Sequence, residues 1–182
     1  MRVIGVVGYP ASGKGEFSRV AAGSGIPVVV MGDVIRREAA KAGLGTSDAA
    51  LGEMAIRLRR ERGMDAIALL TIEDVEALRA PLLLIDGLRG DAEVKRFRER
   101  FTGFLLVGIV SDFGSRLARS SARGRSDDLS RAEDLRNRDR REEGFGLARA
   151  LAEADRVLEN NGTLQEFETK ARTLLDEIRE GT

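Results

Sequence analysis

The chain has 182 residues, 42 % hydrophobic and 33 % charged, with 30 basic side chains against 30 acidic ones. That is enough to bury one substantial core, and it excludes both a disordered chain and a net basic field that would gather nucleic acid or an anionic membrane. Cysteine and histidine are both absent, which excludes disulfides, thiolate metal sites, imidazole bases and Ser-His-Asp hydrolases, leaving any chemistry to carboxylates, Lys, Arg, hydroxyls and backbone groups.

From the N-terminus, the apolar run Val3–Val7 is too short for a secretory core and reads as a buried strand. No stretch approaches the ~18 apolar residues of a membrane span, so a cytoplasmic location is expected. A helix over Gly13–Ala22 follows, then a second strand over Val28–Met31 and a helix over Val34–Ala42. Ser47 caps a helix carrying Leu51, Met54, Ala55 and Leu58 at helical spacing and ending near Gly63; Asp65–Arg79 repeats the pattern. Leu82–Ile85, Phe104–Val110 and Val157–Leu158 read as further strands, and Thr163 with Glu166 forms a capping box before the last helix. Short apolar strands separated by helical patterns predict an α/β fold with a parallel sheet. About fifty residues without a strand signal between the second and third strands exceed a simple crossover and predict a helical insertion.

Gly8-Tyr9-Pro10-Ala11-Ser12-Gly13-Lys14 matches GxxxxGK between a strand and a helix. Such a loop converges backbone N–H groups on phosphate oxygens, adds the positive end of the following helix, and aims its lysine at the β/γ-phosphates. The pattern wants Ser or Thr next to hold Mg²⁺, but Gly15 and Glu16 follow. Metal must then be held by other carboxylates, water and the nucleotide itself. Asp86, after Leu82–Ile85, reads either as a Walker B acid or as a turn cap; Asp33 reads as a holder of a Mg²⁺ water, as a group that orients an acceptor hydroxyl, or as an N-cap.

The loop, with glycine after its lysine, resembles that of adenylate kinases and related nucleoside monophosphate kinases. Gly32-Asp33-Val34-Ile35-Arg36 is similar to the family's Gly-Asp-x-x-Arg, and Asp86-Gly87-Leu88-Arg89 to its Asp-Gly-Phe-Pro-Arg without the proline. Gly124-Arg125-Ser126-Asp127-Asp128, with Arg136 and Arg138 beyond it, resembles the lid. The stretch from Ala154 to Thr163 resembles the last strand and adenine-side turn of small P-loop kinases, dephospho-CoA kinases included. Over almost its full length the chain most resembles archaeal adenylate kinase-related proteins, also described as dephospho-CoA kinase-like.

The resemblance implies a three-layer α/β/α P-loop fold with a five-stranded parallel sheet. Its core would be 1–32, 80–123 and 142–182, with an acceptor-binding insertion at 33–79 and a lid at 124–141. It implies a phosphotransferase using ATP and Mg²⁺ on a small phosphate-bearing acceptor. Donor residues would be Gly8 and Pro10 to Glu16, with Arg119 and Asn160; acceptor residues Gly32, Asp33, Arg36, Asp86, Gly87 and Arg89; metal holders Asp86 and, through water, Asp33. Lys14, Arg123, Arg125 and Arg138, with Asp33, would carry the chemistry, Arg116 and Arg136 standing behind them. The competing reading of the basic segment is a solvated helix face balanced by Glu133, Asp134, Glu142 and Glu143. The chain departs from adenylate kinases at Met31, where they have Thr, and at Glu93, where they place the Gln that reads adenine. A nucleoside monophosphate, dephospho-CoA, and a nucleotide-binding module with incidental hydrolysis all stay open. A GTPase is disfavoured because no Asn-Lys-x-Asp motif is present, and oligomeric state is open too.

Overall fold

The computed structural model describes residues 1–123 and 132–181. Five strands, β1 (Arg2–Val7), β2 (Val28–Val30), β3 (Leu82–Leu88), β4 (Gly103–Val110) and β5 (Arg156–Glu159), form one parallel sheet in the order β2-β3-β1-β4-β5. The helices are α1 (Lys14–Gly23), α2 (Met31–Lys41), α3 (Asp48–Arg62), α4 (Ala66–Ala77), α5 (Asp91–Arg100), α6 (Phe113–Arg123), α7 (Ala132–Glu143), α8 (Leu147–Ala152) and α9 (Leu164–Glu180).

Successive strand residues point to opposite faces, and both faces are covered. Val3, Leu83 and Ile85 pack with α2 to α5 and α8, whereas Ile4, Leu84, Val107 and Ile109 pack with α1 and α9. This is why the strands read as continuous apolar runs instead of alternating ones. On the second face, α9 buries Phe167, Ala171, Leu174, Leu175 and Ile178. Its start is fixed by the expected capping box, with Thr163 Oγ1 accepting from Glu166 N and Thr163 N donating to Glu166. Such a cap stabilises a helix by about 1 kcal/mol.

Three local expectations change. The second strand stops at Val30 and α2 begins at Met31, because Met31 is 2 % exposed as the buried first residue of a helix. A short apolar run does not distinguish that from a strand end. Asp33 is therefore inside α2 and caps nothing; the residue before the helix is Val30. Strand β3 does not end before Asp86 but runs to Leu88: Asp86 pairs with Val6, Leu88 with Val7, and the ladder skips Gly87 at φ 97°. The bulge needs the left-handed conformation that glycine adopts without strain. Helices α2, α3 and α4 fill the interval between β2 and β3. Among the described residues, no helix is long and apolar enough to cross a membrane.

Candidate active site

The cleft opens at the C-terminal ends of the strands, where parallel α/β sheets place ligands. From β1 the chain turns through the glycine-rich loop into α1. Positive φ angles at Ala11 (60°) and Gly13 (115°) curl the loop so that its amides can face an anion. A Cβ on Gly13 would stand 2.2 Å from Asn160 Nδ2, and one on Gly8 2.4 Å from the Ile109 carbonyl oxygen. Asn160 Nδ2 donates to Ser12 O at 2.8 Å, tying the turn after β5 to the loop. Arg119 holds that turn in place, donating to Asn160 O at 2.5 Å and to Ser111 Oγ at 2.9 Å.

Lys14 Nζ donates to Gly8 O at 2.6 Å and Tyr9 O at 3.0 Å. Burial strips water from this ammonium and lowers its pKa to about 8, against the opposing pull of Glu142 and Asp86. Nucleotide phosphates would supply the missing negative charge and raise that pKa again. Binding an ATP analogue then takes up a proton above pH 8, so affinity should fall by up to about tenfold per pH unit above it. Calorimetric titration from pH 7 to 9.5 measures this; a flat profile would mean Lys14 does not meet the phosphates. For the empty protein the sign is opposite. The folded state binds this proton more weakly than the unfolded chain, so this group's contribution to stability rises with pH from about 8 to the ordinary lysine value.

Asp86 lies in the same cavity, its carboxyl pushed up by burial while Lys14 and a hydrogen bond from Ser18 pull the other way. Among the described residues its Oδ1 is buried without a hydrogen-bond partner. An oxygen ligand with spare capacity beside the phosphate loop fits Mg²⁺, which keeps several waters and uses one or two carboxylates plus phosphate oxygens. No group of three or more acidic residues that could cage a metal occurs among the described residues, so Asp86 would be the principal protein holder. A Cβ on Gly15 would meet nothing within 4 Å, so there is room for the usual hydroxyl residue that this chain lacks.

Pro10, Ala11, Gly13, Lys14 and Gly15 share one cavity of about 200 Å³ with Gly32, Arg36, Asp86, Gly87, Arg89 and Arg138. Donor-side and acceptor-side candidates from four segments thus face one space. Asp33 is exposed on α2, paired with Arg36 at 2.6 Å, and is not among the residues lining the cavity. Glu16 pairs with Arg19 and also does not line it. Arg123 ends α6, but its side chain, like all of Arg125, lies outside the described residues.

Two carboxylates have roles that the sequence reading did not give them. Glu142 is not on a solvated face: it is 1 % exposed, lines the cavity, and pairs with Arg89 at 3.1 Å and with Arg138 Nε at 3.3 Å. Burial alone would raise its pKa, but Arg89, Lys14 and Arg138 together hold it below the ordinary range and ionised. The available signal was Leu135, which precedes Arg138 and Glu142 by three and seven residues and marks the buried stripe of α7. Glu93, at the base-reading position, is fully buried and accepts from Arg59 Nη2 at 2.6 Å and from Arg89 N at 2.7 Å. Of the standby arginines, Arg116 grips Asp139 at 2.8 and 2.9 Å and donates to Pro10 O, and Arg136 stacks 4.9 Å over Phe113. Arg116 thereby docks α6 and α7 on the phosphate loop. Tyr9 OH adds a hydrogen bond to Glu143 at 2.8 Å, and Glu143 itself stays exposed to solvent.

A family profile described as an AAA domain matches residues 7–136. A UPF0200 protein from Methanoregula boonei is 58 % identical over 175 residues, covering 96 % of each chain. Another from Methanosarcina mazei is 44 % identical over 181 residues, covering 99 % of this chain and 97 % of the relative. The chain belongs to the UPF0200 family. Among solved structures, this UPF0200 chain superposes on TT1252 from Thermus thermophilus with TM-score 0.65 at 22 % identity, covering 97 % of both chains. It superposes on dephospho-CoA kinase from Campylobacter jejuni with TM-score 0.64 at 15 % identity, covering 100 % of this chain and 99 % of the other. For shikimate kinase from Acinetobacter baumannii in complex with shikimate the TM-score is 0.63 at 17 % identity, covering 100 % and 95 %. At these identities the likeness establishes a P-loop kinase fold, which agrees with the order and parallel pairing of the strands.

Proposed function

We propose that this UPF0200 protein is a cytoplasmic ATP-dependent phosphotransferase acting on a small phosphate-bearing acceptor of the nucleoside monophosphate type. The observation that carries this reading is that Lys14, on the nucleotide loop, and the pair Arg36 and Arg89 line one cavity. Phosphoryl transfer needs positioning and charge stabilisation more than covalent catalysis, so absent His and Cys are no handicap. Lys14 would hold the donor phosphates, Arg36 and Arg89 the acceptor's phosphate, and Asp86 the metal, with Asp33 acting through water. Mg²⁺ would neutralise charge on the phosphates. Arg125 and Arg138 from the 124–141 lid, with Arg123 just before it, would meet charge developing on the transferred group once closure has excluded water.

A dephospho-CoA acceptor is the second reading. It stays open because Glu93 is committed to Arg59 and cannot read an adenine ring as the family's Gln does, which weighs against AMP held in the adenylate kinase manner. A turnover assay with ATP, Mg²⁺ and a panel of nucleoside monophosphates and dephospho-CoA tests both. ATP binding without transfer to any acceptor would favour a nucleotide-binding module with incidental hydrolysis.

With an acceptor in hand, the arginines should divide into two groups. Arg36→Ala and Arg89→Ala are expected chiefly to raise KM for the acceptor. Arg123→Ala and Arg125→Ala are expected to lower kcat, by ~10³-fold where the contact forms only in the transition state. Steady-state kinetics on the four variants, with folding checked by circular dichroism, makes the comparison. Matching profiles for the two pairs would sink the division of roles.

A further inference from the structure

Beyond Arg36 and Arg89 the cleft continues into a smaller recess of about 50 Å³, bordered by α2, α3 and α7. Taking ~10–15 Å³ for one water, it has room for several, which is the size of a phosphate or carboxylate group. Its described walls present four guanidinium groups, those of Arg36, Arg89, Arg138 and Arg141, against the single carboxylate of Asp48. Arg36, Arg89 and Arg138 each have another acid, namely Asp33, Glu142 and Glu142 again. Arg141 has only Asp48 among the described residues, at 3.4 Å, and Asp48 is shared with Arg138 at 3.6 Å. Both separations exceed the ~2.7–2.9 Å of a charge-assisted hydrogen bond. Among the described residues, Arg141 Nε is buried with no hydrogen-bond partner.

The facing helix leaves space for this guanidinium: a Cβ on Gly52 would stand 2.9 Å from Arg141 Nη1. A buried donor left unsatisfied is costly. A recess of anion size with excess positive charge and an unused donor calls for an anion. We propose that it binds a second anionic group of the acceptor. The substrate class is then a small molecule bearing two anionic groups, one held by Arg36 and Arg89 and the other by Arg141 with Arg138. A plain nucleoside monophosphate, with its single phosphate, would leave the recess to solvent, so the inference narrows the acceptor reading above to a phosphate-bearing molecule with a further anionic group. This inference rests on the acceptor-side reading above for the first group, whereas the recess itself can be tested alone.

The competing role for Asp48 and Arg141 is a clamp between α3 and α7, and the two roles predict opposite results for Asp48→Asn. The full-length protein is saturated with a non-hydrolysable ATP analogue and Mg²⁺, then titrated with inorganic phosphate while thermal stabilisation is followed. Selenate, similar in size, locates the sites by anomalous scattering in crystals of the same complex. Expected are one selenate at Arg36 and Arg89 and another at Arg141. Arg141→Gln should remove the second and weaken its phosphate response about tenfold or more, and Asp48→Asn should strengthen that response several-fold. Acetate in place of phosphate tells whether the recess takes a carboxylate. No selenate at Arg141, together with a lower melting temperature and no gain in phosphate response for Asp48→Asn, would overturn the proposal in favour of the clamp. Selenate at Arg141 but none at Arg36 and Arg89 would keep the recess and overturn the phosphate-bearing acceptor reading instead.

Discussion

Lys14→Ala is expected to lower phosphoryl transfer by about 10²–10³-fold or more and to abolish most ATP-dependent thermal stabilisation, while leaving the fold intact. The first part follows from the position of Lys14 in the loop, where its ammonium is the only lysine charge lining the cavity among the described residues. Stabilisation by ligand depends on affinity for the native state, so losing that charge removes it by mass action. The second part follows from what Lys14 does in the empty protein. Its two hydrogen bonds go to carbonyls of its own loop, each contributing about 1 kcal/mol, and its charge is held there against desolvation. Removing it loses the bonds and relieves the desolvation, so the two effects oppose each other. The checks are steady-state kinetics with the best acceptor and melting curves with and without an ATP analogue. Wild-type turnover and affinity in the variant would refute the phosphate-loop assignment.

Arg59→Met should destabilise the protein by about 3–5 kcal/mol, the largest stability effect expected of a single charged residue here. Arg59 and Glu93 side chains are 3 % and 0 % exposed and meet at 2.6 Å, with the Arg59 guanidinium 4.1 Å from the centre of the Phe145 ring. Methionine keeps much of the volume but leaves the Glu93 carboxyl group buried without its counter-ion, which is the costly configuration. The double variant Arg59→Met/Glu93→Gln removes both charges and should recover much of the loss. Equilibrium denaturation of the three proteins measures the differences. Because Glu93 also accepts from Arg89 N, the single variant should further raise acceptor KM by loosening the backbone that presents Arg89. A single variant within ~1 kcal/mol of wild type would show that the pair is not holding this wall.

The phosphate loop was legible in the sequence because its chemistry is local: glycines at fixed offsets from one lysine need only a strand before them and a helix after. The parallel sheet was legible for a similar reason, since strands buried on both faces become unbroken apolar runs such as Leu82–Ile85. Thr163 and Glu166 announced their helix through a hydrogen-bond pair three residues apart. Tertiary structure alone decided which charges meet. Glu142 and Arg138 have the spacing of an ordinary surface pair, and only the docking of α7 over the loop turns both toward Lys14 and Arg89. Glu93 and Arg59 are 34 residues apart and form a pair because α3 and α5 each pack on α4 and bring these two side chains together. Asp86 looked like the end of a strand because its polarity resembles a turn; the bulge at Gly87 lets the ladder continue and keeps its carboxylate in the cavity. Sequence spacing reports what one element does by itself, whereas long-range pairing depends on how separate elements are brought together across the sheet.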